Sequence, residues 1–189
     1  MTDLITRAEY KTYRGISGAN DDGKIDVIIS SVSDLVKTYC GRTFLDYRSV
    51  DKTENFSFTW EAPSVFLSEI PIVSITSVQE LQSGSNSTYD TLTTDQYVVD
   101  LTMDAIYRVE NGIKQNFPKG VNAVKVVYKG GYASVPNELK LALYDIVTYY
   151  LKEQFIPEKN HSSFTIRQSP EGADFPAHIK RVLDLYRDV

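Results

Sequence analysis

The sequence predicts an α+β protein: a small helical core, built from an N-terminal helix pair and C-terminal helices, with an inserted antiparallel β region. Three observations carry this expectation. Apolar residues recur at helical spacing from Ile25 to Tyr39, and again from Leu139 to Leu151. Between these two stripes lie short alternating runs rich in Val, Ile, Tyr and Phe, separated by Gly, Pro, Ser and Asn.

Taken in order, Thr6-Arg7-Ala8-Glu9 has the spacing of a capping box, so a short helix starts there and stops at Gly15. Asn20, Asp21 and Asp22 offer an N-cap and favourable charge for a longer helix. Its stripe is Ile25, Ile28, Ile29, Val32, Leu35, Val36 and Tyr39, and Gly41 stands where a left-handed C-terminal glycine belongs. Phe56, Phe58 and Trp60 alternate with Ser57 and Thr59 as a half-buried strand. Val65-Phe66-Leu67, Ile72 to Val78, Tyr97-Val98-Val99, Ala105-Ile106-Tyr107 and Asn122 to Tyr128 supply further strands. Gln82 to Thr88 is a polar loop tip, and Val124, Val126 and Tyr128 share one face of the last strand.

Pro136 opens a second strong helix at a first-turn position, with Leu139, Ala142, Leu143, Ile146, Val147, Tyr150 and Leu151 as its stripe. Residues 155–176 are polar, irregular and proline-punctuated, which is long for a connection inside a compact domain and suggests a functional segment. A last amphipathic helix follows, with Ile179, Val182, Leu183 and Tyr186 on one side.

Composition excludes several function classes. With 42% hydrophobic and 24% charged residues the chain can bury a core. A net charge of -5, spread evenly, argues against gripping nucleic acid by counterion release. One cysteine excludes an internal disulfide, and two histidines leave a zinc site short of ligands. The opening Met1-Thr2-Asp3-Leu4-Ile5 has no basic and apolar leader, and no run reaches membrane-spanning length. A soluble protein made inside the cell, with no membrane partner, is the expectation.

Catalytic candidates are weak. Cys40 beside Arg42 would be an activated thiolate, but no histidine stands near in sequence, and a small apolar residue closing the helix is the better reading. His161 and His178 lack the spacing of metal ligands. Asn20-Asp21-Asp22-Gly23 fails as a calcium loop, because Gly18 and Ile29 fall where oxygen ligands are required. No phosphate loop is present. No enzyme activity, cofactor, catalytic residue or metal site is therefore expected.

Two segments stand above composition. The first leads from Leu4-Ile5-Thr6 to Tyr39-Cys40-Gly41-Arg42-Thr43-Phe44. The second is Tyr128-Lys129-Gly130-Gly131-Tyr132, then Val135-Pro136, Leu139-Lys140-Leu141-Ala142 and Tyr149-Tyr150. In this order they resemble the head-tail connector (adaptor) family of long-tailed bacteriophages, whose members show a helix ending in Gly-Arg-x-Phe, a strand ending in Gly-Tyr and a helix opening with Val-Pro. The resemblance runs from about Leu4 to Leu151 and does not reach the tail after Phe155.

The resemblance implies a structural virion protein of the neck, made in the host cytoplasm. Its copies would form a ring, typically dodecameric, under the portal protein. The ring would join the head to a stopper or tail-completion protein, while double-stranded DNA passes through the lumen without specific binding. A single connector domain over 1–189 is then expected, with N-terminal helices in 1–48, the β insertion in 49–132, a core helix in 133–154 and a C-terminal arm and helix in 155–189. Phe164, Ile166 and Phe175 would be apolar anchors of that arm, which reaches a neighbouring copy or the portal, and Arg181 and Arg187 would pair with acidic portal residues. Removing 155–189 should leave the helical core folded but block joining to the portal. The alternative is a β-rich ligand- or carbohydrate-binding module of a tail or baseplate, using Trp60, Tyr89 and Tyr107.

Overall fold

The computed structural model describes residues 2–85, 87–154 and 175–187. The chain divides into a helical unit, Met1–Arg42 with Val135–Val189, and a β unit, Thr43–Ser134.

The helical unit begins as the sequence predicts. Helix α1 (Arg7–Arg14) carries both halves of the Thr6–Glu9 capping box and ends at Gly15, whose φ of 67° is left-handed. Helix α2 (Asp22–Cys40) ends on Gly41 at φ 71°. Its N-cap differs from expectation: Asp21 makes no side-chain capping bond. Asp22 instead accepts from Lys11 Nζ at 2.6 Å, and that lysine also donates to the Gly18 carbonyl at 2.7 Å. The acidic turn is thus tied to α1 by a cation, and its charge also favours the α2 dipole.

Ile25, Ile28, Ile29, Val32 and Val36 are buried as the stripe requires, whereas Leu35 is exposed and Ser33, Lys37 and Cys40 are buried. The buried polar side chains are used. Ser33 Oγ accepts from the Leu4 amide at 3.0 Å, and Lys37 Nζ donates to the Thr2 carbonyl at 2.7 Å, so α2 fixes the segment before α1.

Helix α3 (Asn137–Gln154) packs on α2 and buries Leu139, Ala142, Leu143, Ile146 and Val147. Pro136 lies one residue before it, its carbonyl accepting from the Lys140 amide at 2.9 Å. Helix α4 (Ala177–Asp184) packs on α3 and α2 and buries Ile179 and Leu183. It therefore belongs to the helical core, and removing 155–189 would take two buried side chains with it. The truncation is therefore expected to cost stability, against the expectation of an untouched core.

The β unit holds two antiparallel sheets. In the first, β1 (Lys52–Phe58), β8 (Gly120–Gly130), β3 (Ile72–Leu81) and β4 (Tyr89–Thr91) run in the order β1-β8-β3-β4. In the second, β2 (Ser64–Phe66), β6 (Ala105–Glu110) and β5 (Tyr97–Asp100) run in the order β2-β6-β5, and β7 (Ile113–Lys114) pairs with β6. Val65, Leu67, Val78, Ile106, Phe117, Val124, Val126 and Tyr128 form the core of this unit. Strand β8 is central, so its face of Val124, Val126 and Tyr128 is wholly buried. Strand β1 stops at Phe58, and Trp60 stands beyond it, 78% exposed. Strands β4 and β7, three and two residues long, carry no alternation that sequence reading could find.

Candidate contact surfaces

The two motifs that carry the resemblance meet inside the β unit. Phe44 of the first accepts a hydrogen bond at its carbonyl from the Tyr132 amide of the second, at 2.7 Å. Between them Gly131 has φ 108°, and a Cβ there would stand 2.6 Å from the Phe44 carbonyl oxygen. Gly130 is held closer still, since a Cβ would fall 2.0 Å from the Glu69 carbonyl oxygen.

Glu69, 1% exposed, anchors this junction. Its carboxylate accepts from the Thr43 amide at 2.8 Å and the Phe44 amide at 3.3 Å, with Lys52 Nζ at 3.4 Å. The Tyr128 hydroxyl accepts from the Glu69 amide at 2.9 Å and donates to Glu54 at 3.0 Å. Burial pushes the tyrosine hydroxyl to a higher pKa, so it stays protonated and serves as donor. Burial also raises Glu54, but hydrogen bonds from Lys52 and Ser68 outweigh it and hold the carboxyl below its usual range. The Phe44, Gly130 and Gly131 parts of the two motifs thus serve the interior of the β unit, whereas Leu141, Tyr149 and Tyr150 of the second motif stand exposed on α3.

At the far end of α2, Tyr39 is clasped by the C-terminal segment. Its hydroxyl donates to Asp184 Oδ1 at 2.5 Å, the Phe175 ring meets it edge-on at 5.5 Å, and the Arg187 guanidinium lies over its face at 5.6 Å. Of the five anticipated contact residues, Phe175 and Arg187 are therefore brought together around Tyr39. Arg181 is exposed on α4. Phe164 and Ile166 lie outside the described residues.

Of the residues weighed for chemistry, Cys40 and Asp22 have structural roles. Cys40 is fully buried, and burial raises its thiol to about 11, against the opposing pull of Arg42. Its Sγ donates to the Leu183 carbonyl at 3.7 Å. His178 is exposed on α4, and His161 lies outside the described residues. Asp22 is engaged by Lys11 and by Arg7, at 2.6 and 3.6 Å. Among the described residues no cluster of three His, Cys, Asp or Glu could hold a metal ion.

Of the aromatics proposed for a carbohydrate module, Tyr89 donates to the Asn122 carbonyl at 2.8 Å, and Lys114 Nζ sits 4.7 Å over the Tyr107 ring. The exterior features that sequence reading missed are apolar: Val27 and Leu35 on α2, and Leu101 and Met103 between β5 and β6. Leu35 falls on the periodic stripe, which predicts it covered, while Val27, Leu101 and Met103 carry no pattern, because isolated apolar residues look the same whether covered or bare.

Residues 3–189 match the head completion protein family. The "Head completion protein" of Escherichia phage T5 is 24% identical over 186 residues, covering 98% of this chain and 99% of that protein. Among solved structures, the fold resembles a chain titled as the neck of an empty GTA particle computed with C6 symmetry, with TM-score 0.57 and 12% identity, over 98% of this chain and 90% of that one. It also resembles a chain from the neck of a native GTA particle computed with C12 symmetry, with TM-score 0.52 and 14% identity, over 100% of this chain and 96% of that one. The class is that of head-tail connector proteins, structural components of phage virions. Within it, this chain belongs to the head completion protein family.

Proposed function

We propose that copies of this chain assemble as a ring in the neck, with the portal protein on one side and a stopper or tail-completion protein on the other. The observation that carries the proposal is the family match along nearly the whole chain. The fold likeness to neck chains of particles computed with C6 and C12 symmetry supports a ring, dodecameric when assembled. DNA passes through the lumen, and a net charge of -5 per copy lets it slide without being held. The chain performs no catalysis in this role.

Portal contact in this proposal is made by Phe164, Ile166 and Arg181, with Phe175 and Arg187 anchoring the base of the segment to Tyr39. Electron microscopy of purified necks tests the reading. A ring of this chain between portal and tail components is the expected image. Its absence from necks of infectious particles would remove the proposal.

A further inference from the structure

Hairpin turns facing water are ordinarily polar, and the turn between β5 and β6 is not. Leu101 is 68% and Met103 59% exposed there. The turn is pinned from both sides. Asp100 Oδ1 accepts from the Thr102 and Met103 amides at 2.8 and 3.1 Å, while Asp104 Oδ1 accepts from the Ile72 amide at 3.1 Å and its carbonyl from the Leu67 amide at 3.3 Å. The backbone that carries these two apolar side chains is therefore fixed, so little backbone entropy remains to be lost on docking. Nothing in the β unit's own packing requires them to be apolar.

The helical unit carries the converse feature. An apolar groove of about 330 Å³ is lined by Val27, Ile28, Val32, Leu35 and Tyr150, with Ser31 as its polar member. Val27 is 66% exposed at its lip.

We propose that the Leu101–Met103 turn of one copy docks in the Val27–Leu35–Tyr150 groove of the next copy in the ring; this rests on the ring reading above. A closed ring needs heterologous contacts, so every copy must carry two unlike faces that fit each other. This chain has a projecting apolar turn on one unit and an apolar groove on the other. The area argues the same way: two side chains offer far less than the roughly 800 Å² per partner of a stable complex. The contact does not hold two free copies together, and it closes only where a platform gathers many.

Virions grown with the double variant Leu35→Cys/Met103→Cys as sole source, then oxidised, test the contact. Non-reducing gels should show a ladder of dimers, trimers and higher multiples, whereas each single variant gives monomer only. Cys40 is buried and does not take part. Necks that contain the ring yet yield no ladder, or a dimer from Met103→Cys alone, would overturn the docking and leave the ring reading intact. A wild-type neck without a ring would overturn both. As a second arm, Leu101→Ser/Met103→Asp should melt like wild type, because both side chains are exposed, but should lower the occupancy of the ring in purified necks; wild-type occupancy in that variant refutes the contact.

Discussion

At the scale of single residues, the most demanding positions are those where two backbones touch. Gly130→Ala places a methyl group 2.0 Å from the Glu69 carbonyl oxygen, a backbone atom that cannot rotate away. A loss of about 3 kcal/mol or more is expected in urea unfolding; a change within error would show that β8 and the Glu69 segment separate easily. Glu69→Ala leaves the Thr43 and Phe44 amides without their acceptor and Lys52 without one of its two carboxylates, with an expected cost of about 3 kcal/mol in the same measurement.

Glu54 gives a pH signature. Its carboxyl lies below 4.5 in the folded chain, so its stabilisation is complete above the unfolded value and is lost as pH falls through the folded one. Wild type should lose stability on acidification below about pH 4.5, and Glu54→Gln should flatten that part of the curve. Equal acid sensitivity in both proteins would assign the effect to other carboxylates.

At the scale of elements, capping chemistry and helical periodicity are read well from sequence, because both depend on residues within a turn or two. The Thr6–Glu9 box, Gly15 and Gly41 mark helix ends without reference to anything distant. Ile29 sits at the centre of the α2 stripe and is buried, so Ile29→Asp should destabilise by several kcal/mol in thermal or urea melts through an unpaired charge in the core. Near-normal melting would mean that α2 presents another face. Leu35 shares that spacing and is nevertheless exposed, because the width of a buried stripe is set by the partner helix and not by the helix itself. The short strands β4 and β7 depend wholly on their neighbours, through the β3–β4 and β6–β7 pairings, and leave no local pattern.

At the scale of the whole molecule, the residues between α3 and α4 are bounded by two packed helices, so the informative change is replacement and not truncation. Exchanging residues 158–171 for a Gly/Ser linker of equal length should leave the melting temperature unchanged, since Ile179 and Leu183 stay in place, and should block head-tail joining. Normal yields of filled, tailed particles from that variant would show that Phe164 and Ile166 play no part in contact with the portal.

The family character of this chain was already present in its linear order of motifs, since a helix that must stop and a strand that must turn are marked by residues close by in the chain. The α+β class followed from the same local periodicities. Tertiary structure alone decided that Phe44, Glu69, Gly130 and Gly131 converge on one buried junction, and that Leu101, Met103, Val27 and Leu35 remain bare. Convergence and exposure are properties of residues far apart in the chain. The free energy of burying an apolar side chain depends on what the fold brings to it, which no stretch of sequence contains by itself.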